Sequence, residues 1–273
     1  MPRVAYITCD SPEWHDIAQR MLHRADWRPV YWICEPRVQE ALASRFPGVI
    51  THSRYDAYHL VSPPALQQLP LEPLDEPFLH DMAEVQTIAL KMMDVMDSVD
   101  AFDFNARRRH FHQRLQYWRA VLTVTRPDLC VFAFSGHAIY DYVVYELCRY
   151  YGLRTIMFET TFNWALYLAM EDPLVGSGEI RDTYAELLRR DDGSDVALSP
   201  FCEVYLARLR GSYGGALPWY MRQQFADFPQ EIASTMYTGE DRRQGETAGR
   251  AETGVGPRRR WTDRLDVRKY FRR

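Results

Sequence analysis

Three short stretches carry residue types suited to acid–base and binding chemistry: Cys9-Asp10-Ser11, Ser135-Gly136-His137 and Glu159-Thr160-Thr161. Each follows an apolar run and stands where the chain must turn. His137 comes after Gly136 at a strand-to-helix corner, where an imidazole can act as a base or hold a phosphate. Asp141 lies one helical turn further on, so the two side chains can share a face and the carboxylate can orient the ring. The plainer reading is a helix-start His satisfied by backbone groups and a solvated Asp. Glu159 closes the next strand and is usable as a general base if apolar neighbours raise its pKa; otherwise it is an exposed strand-end acid. Asp10 holds the equivalent place after the first strand, to bind substrate hydroxyls or to cap the following helix. The catalytic candidates are therefore His137, Glu159 and Asp141. Asp10, Ser11, Ser135, Gly136, Thr160 and Thr161 are the substrate-binding candidates. Small groups and backbone amides at helix N-termini make such corners good anion sites.

Several other chemistries find no support. There is no GxGxxG after the first strand, no GxxxxGK[ST] and no GxSxG, so no dinucleotide fingerprint, P-loop or nucleophile elbow is indicated. No DxD-type pair is present, and His110 and His112 sit two apart on an expected helix, pointing in different directions. No metal site is expected. The five cysteines, Cys9, Cys34, Cys130, Cys148 and Cys202, never form a CxxC pair; this is reduced, intracellular usage. A net charge of −4 argues against a general nucleic-acid binder, although the stretch 242–273 is rich in Arg. At 273 residues, 47% hydrophobic and 26% charged, the chain has the composition of a globular protein that buries a substantial core.

The elements that must position these residues alternate strand and helix. Residues 3–8 read as a buried strand. Ser11 is a plausible N-cap, Pro12 fits the first helical position, and Trp14, Ile17, Ala18, Met21 and Leu22 follow at helical spacing. Residues 30–34 are a second strand, Pro36 opens a second helix, and 48–52 form a short third strand. The Pro-containing run 53–78 is expected to be an irregular excursion. Helices are expected over 79–99 and 105–125. Then comes a βαβ unit: an apolar strand over 129–134, the corner Ser135-Gly136-His137, a helix over 138–151 ended by Gly152, and a strand over 153–158. This alternation predicts a Rossmann-like parallel sheet flanked by helices, with ligands bound outside the carboxyl ends of the strands. Beyond Phe162 the pattern weakens: 183–190 and 201–209 look helical, 238–257 has the composition of a disordered segment, and 261–271 suits one amphipathic helix. The expected division is a Rossmann-like domain over 1–170, a helical extension over 171–237, and a low-complexity linker with an Arg-rich tail over 238–273.

The run Arg126-Pro127-Asp128, the apolar strand, Ser135-Gly136-His137, Ile139 to Leu147, Gly152-Leu153-Arg154-Thr155 and Phe158-Glu159-Thr160-Thr161 resembles the amino-terminal half of bacterial capsular or surface polysaccharide biosynthesis proteins of the two-domain GT-B glycosyltransferase type. The likeness is specific over roughly 35 residues and loose over the first 170. It implies a transferase that moves a sugar from a nucleotide donor to a growing glycan. In that architecture the amino-terminal domain chiefly holds the acceptor and a second Rossmann-like domain the donor. By position, His137 and Glu159 fall on the cleft-facing edge of the acceptor domain. A second βα domain would need upwards of about 100 more residues, so the donor half is expected to be missing or supplied by a partner subunit.

The leading expectation is thus a glycosyltransferase-like, acceptor-binding protein with a glycan or glycolipid acceptor, no permanently bound cofactor, and a sugar nucleotide as the only candidate donor. A non-catalytic binding or scaffold subunit that recruits a partner enzyme is the alternative; a small-molecule enzyme without a Gly-rich loop is a third. No signal peptide and no transmembrane stretch are visible, so a cytoplasmic location is expected, with the Arg-rich tail offering a peripheral contact to anionic lipid at the inner membrane face.

Overall fold

The computed structural model describes residues 1–97, 100–160, 167–189 and 198–211. They fall into two units, divided after Glu159, with Ala169–Ser177 returning to the first. The first unit opens with β1 (Arg3–Ile7), α1 (Pro12–Ala25), β2 (Arg28–Cys34), α2 (Gln39–Arg45), β3 (Ile50–Ser53) and α3 (Arg54–His59). The chain continues with α4 (Glu76–Asp81), α5 (Ala83–Met96), α6 (Phe104–Thr125), β4 (Leu129–Phe132), α7 (Ile139–Tyr150), β5 (Arg154–Thr160) and β6 (Tyr167–Met170). The strands make one sheet in the order β3-β2-β1-β4-β5-β6. The pairs β1–β2, β1–β4, β2–β3 and β4–β5 are parallel. This is the Rossmann-like α/β architecture expected from the alternation.

The continuous apolar runs are explained by burial on both faces. Because strand side chains alternate, Ala5, Ile7, Tyr31, Ile33, Cys130 and Phe132 enter the core beneath α5, α6 and α7. Val4, Tyr6, Trp32, Leu129 and Val131 enter the core on the other face, where α1 and α2 pack. Tyr6 stacks on Trp32 with centroids 4.2 Å apart, and Trp32 stacks in turn on Phe46. β1, the central strand, is flanked by β2 on one side and β4 on the other. The chain order reverses there, and such a reversal opens a crevice at the carboxyl ends of the two strands.

Four local expectations need correction. The run 53–78 is not irregular throughout: α3 begins immediately after β3, with the Ser53 hydroxyl accepting from the Asp56 amide at 3.5 Å. Six residues are too few for helical periodicity to show. The helix expected over 79–99 is two helices meeting at Met82, the first opened by Asp75, whose carboxylate accepts from the Phe78 amide at 2.9 Å. The third strand starts at Ile50, because Gly48, at φ +87, is still in a turn. β6 was not expected. It lies at the sheet edge next to β5, with Thr155 Oγ1 donating to the Glu171 carbonyl at 2.7 Å beside it.

In the second unit α8 (Gly178–Arg189) and α9 (Pro200–Gly211) occupy the stretches read as helical, each starting earlier than expected. The segments 238–257 and 261–271 lie outside the described residues. Among the described residues no helix is long and apolar enough to cross a membrane.

Candidate functional site

The first turn of the crevice is set by Thr8. It adopts φ +59, a left-handed conformation that a β-branched residue takes only when its surroundings impose it. Its hydroxyl lies 2.9 Å from the phenol oxygen of Tyr140, on α7, and Trp32 Nε1 donates to the next carbonyl, Cys9 O, at 2.9 Å. Asp10 therefore turns towards β2 and does not cap α1: its carboxylate accepts from the Glu35 amide at 2.6 Å. Arg54, at the exit of β3, reaches Asp10 at 3.5 Å and pairs with Glu35. One guanidinium thus ties together the exits of three adjacent strands. Burial raises the Asp10 pKa, opposed by the Glu35 amide and Arg54. Tyr140→Phe is expected to cost about 1 kcal/mol, the net worth of one hydrogen bond, read as a lower denaturation midpoint. An unchanged midpoint would mean that Thr8 holds its conformation unaided.

Ser11 occupies the N-cap position of α1 without bonding a helix amide. The nearby Ser11 hydroxyl is the main reason the pKa of Glu13, exposed in the first turn, is lowered. Pro12 has no N–H, and the Trp14 amide donates to Ser11 O at 3.0 Å.

The second corner follows β4. The Ser135 hydroxyl donates to Glu159 Oε2 at the end of β5. His137 Nδ1 lies 3.0 Å from Ser135 O. A carbonyl can only accept, so Nδ1 carries the proton and Nε2 is left to accept one; the ring is exposed. Asp141 does not orient this ring. It is 3% exposed, accepts from the Tyr142 amide at 2.7 Å, and also takes bonds from the His137 and Ala138 amides. This is the reach-back of an acidic residue in a helix's first turn. Burial pushes its pKa up to about 7, with the His137 charge and these amides opposing.

Asp10, Ser11, Ser135, Gly136, His137 and Glu159 all stand at strand exits, where the expectation placed them. Their contacts divide them. Ser135 links His137 and Glu159; Asp10 belongs with Glu35 and Arg54. Tyr140, bonded to Thr8 and feeling the charges of Arg54 and Asp10, stands between the two groups. Thr160 ends β5, and its side chain, like all of Thr161, lies outside the described residues. Sequence reasoning missed Thr8, Glu35, Arg54 and Tyr140. Glu35 and Arg54 follow β2 and β3 directly, so the strand-exit rule would have found them. Nothing in the sequence marks Thr8 or Tyr140.

Each helix start carries an acidic residue in its first turn, Glu13 in α1 and Asp141 in α7. Asp10, Glu35 and Glu159 add further carboxylates, against Arg54 and Arg37. The crevice is acidic and rich in hydrogen-bond acceptors. Among the described residues no group of three or more His, Cys, Asp or Glu side chains is gathered as a metal would require.

No protein-family model matches the chain, and no curated protein matches it. Strand order and the reversal at β1 define its class, a Rossmann-like α/β protein.

Proposed function

We propose that this chain is a glycosyltransferase-like protein of surface polysaccharide synthesis, and that its crevice holds the acceptor, a neutral hydroxyl-rich glycan. The observation that carries this reading is the carboxylate that the chain itself places in the first turn of both helices, Glu13 and Asp141. A donor pyrophosphate would meet these, and Asp10, Glu35 and Glu159, as like charges. Sugar hydroxyls, in contrast, donate well to carboxylates. In the transfer step the acceptor oxygen bonds the anomeric carbon of the donor sugar as the bond from that carbon to the nucleotide phosphate breaks. His137 Nε2, free to accept, takes the hydroxyl proton. Glu159, fixed by Ser135, positions the sugar. The nucleotide-activated donor would be seated elsewhere, on a further domain or a partner subunit.

The second reading is a binding subunit that presents a glycan to a partner enzyme. The acidic helix starts favour it equally, because binding alone needs no donor seat here.

A panel of neutral oligosaccharides and of UDP-, GDP-, CMP- and TDP-sugars, titrated against the protein by calorimetry or ligand-observed NMR, tests both. Saturable binding of a neutral glycan, weakened about tenfold or more by Glu159→Gln through loss of one charge-assisted bond, is the expected result. His137→Ala should leave that binding nearly intact and remove transfer if transfer occurs. Sugar nucleotides binding alone, in competition with nothing neutral, would sink the acceptor reading.

A further inference from the structure

A cleft of about 390 Å³ opens on the helix-covered side of the first unit, between α4, α5, α7 and the turn after β6. None of Asp10, Ser135, His137 or Glu159 lines it. Its volume suits one small molecule, and its walls are of three kinds. Carboxylates come from Asp81, Glu84 and Glu146, against a single cation, Arg149. Aromatic rings come from Tyr142 and Tyr150. Apolar surface comes from Val85, Ile88 and Leu174; Ile88 is 41% and Leu174 84% exposed, so a ligand's apolar body can reach both.

The polar side is held in place. Tyr142 is hydrogen-bonded to Glu146, and Arg149 reaches Glu146 at 3.2 Å. Burial raises the pKa of Glu146, with Arg149 opposing. Tyr150 is fixed edge-on against Phe78 at 5.1 Å. One guanidinium does not balance three carboxylates, and the tyrosine faces add further attraction for a cation.

We propose that this cleft is a second binding site, which takes a small organic cation with an apolar body, an ammonium carried on an aryl or alkyl frame. The ammonium sits among Glu84, Glu146 and the tyrosine rings, and the body covers Val85, Ile88 and Leu174. The site stands independently of the crevice and of the glycan reading.

The test uses the full chain and two probes of nearly equal shape, 2-phenylethylammonium and 2-phenylethanol, titrated by ligand-observed NMR. The amine should saturate, and the alcohol should bind at least about tenfold more weakly, because it lacks the charge the carboxylates recognise. Glu146→Gln and Glu84→Gln should each weaken the amine several-fold. Glu84 is exposed on α5, so the second variant keeps the fold whatever the first does. Glu159→Gln should leave amine binding unchanged. Equal affinity for alcohol and amine, no saturation by the amine at millimolar concentration, or indifference to both cleft substitutions would overturn the proposal.

Discussion

Asp141→Asn is expected to yield a protein whose stability climbs between pH 4 and 6.5, whereas that of the parent stays nearly level. Two buried groups with opposite linkage explain this. The folded pKa of Asp141 lies at about 7, against an ordinary 3.8, so the folded state holds a proton that the unfolded chain has released. Stability is full below pH 4 and is lost as pH rises towards 7, by on the order of 4 kcal/mol. His52 works the other way. Its Nδ1 accepts from the Tyr31 phenol at 2.5 Å and its Nε2 donates to Val61 O at 2.9 Å, which fixes the neutral ring. Burial lowers its pKa to about 4, from an ordinary 6.5. Stability is therefore full above 6.5 and is lost as pH falls towards 4, by on the order of 3 kcal/mol. The windows overlap and the slopes nearly cancel. Burial also raises Asp10 and Glu146 and lowers His15, His59 and His112, adding smaller terms on both sides. Denaturant titrations from pH 4 to 8 read the result. His52→Gln should give the mirror profile, falling with pH. Parallel profiles for the parent and Asp141→Asn would show that the folded Asp141 carboxyl ionises like an ordinary one.

Gly136→Ala should destabilise the protein by about 1–3 kcal/mol, the usual range for forcing an extra methyl into a packed site. A Cβ at Gly136 would lie 2.8 Å from Tyr142 Cα, 2.9 Å from Tyr142 N and 3.3 Å from the Asp141 carbonyl carbon. All three are backbone atoms and cannot swing aside. The start of α7 would have to shift, carrying Asp141, His137 and the Ser135–Glu159 bond with it, so glycan binding should weaken as well. Gly152→Ala is the control. Its φ of +64 imposes left-handed strain, but nothing lies within 4 Å of an added Cβ, so the cost is about 1 kcal/mol with binding unchanged. Equal melting temperatures for Gly136→Ala and the parent would mean that the turn has room the geometry does not show.

The fold was legible where burial forces a pattern on the chain. β1, β2 and β4 carry unbroken apolar runs, and β5 a shorter one over Ile156–Phe158, because both sheet faces are covered, and Ser135-Gly136-His137 stands out as the break between an apolar run and a helix. What stayed hidden was structure that leaves no period. α3 is too short for one, β6 alternates only weakly at the sheet edge, and the break at Met82 is made by a residue that favours helices. The site was legible by position and not by partnership. Strand exits located Asp10, Ser135, His137 and Glu159, but the Ser135–Glu159 bond, and the preference of Asp141 for backbone amides over the imidazole, depend on how β4, β5 and α7 meet in three dimensions. His52 reads in sequence as one polar residue in a short strand. Only the fold shows its ring enclosed between Tyr31, Tyr117 and Trp118.

The central position of β1 also sets a timetable for biosynthesis. Of the six strands β1 is translated first, and its pairing with β2 can form early. Its other neighbour arrives late: the bond from the Arg3 amide to Asp128 joins residues 125 apart in the chain. Until β4 emerges, β1 presents an open edge, the kind of surface on which nascent chains associate wrongly. Chaperone dependence should therefore peak for nascent chains that stop short of β4 and decline once it has been translated, so that a strand enclosed in the finished molecule is a vulnerable one during synthesis.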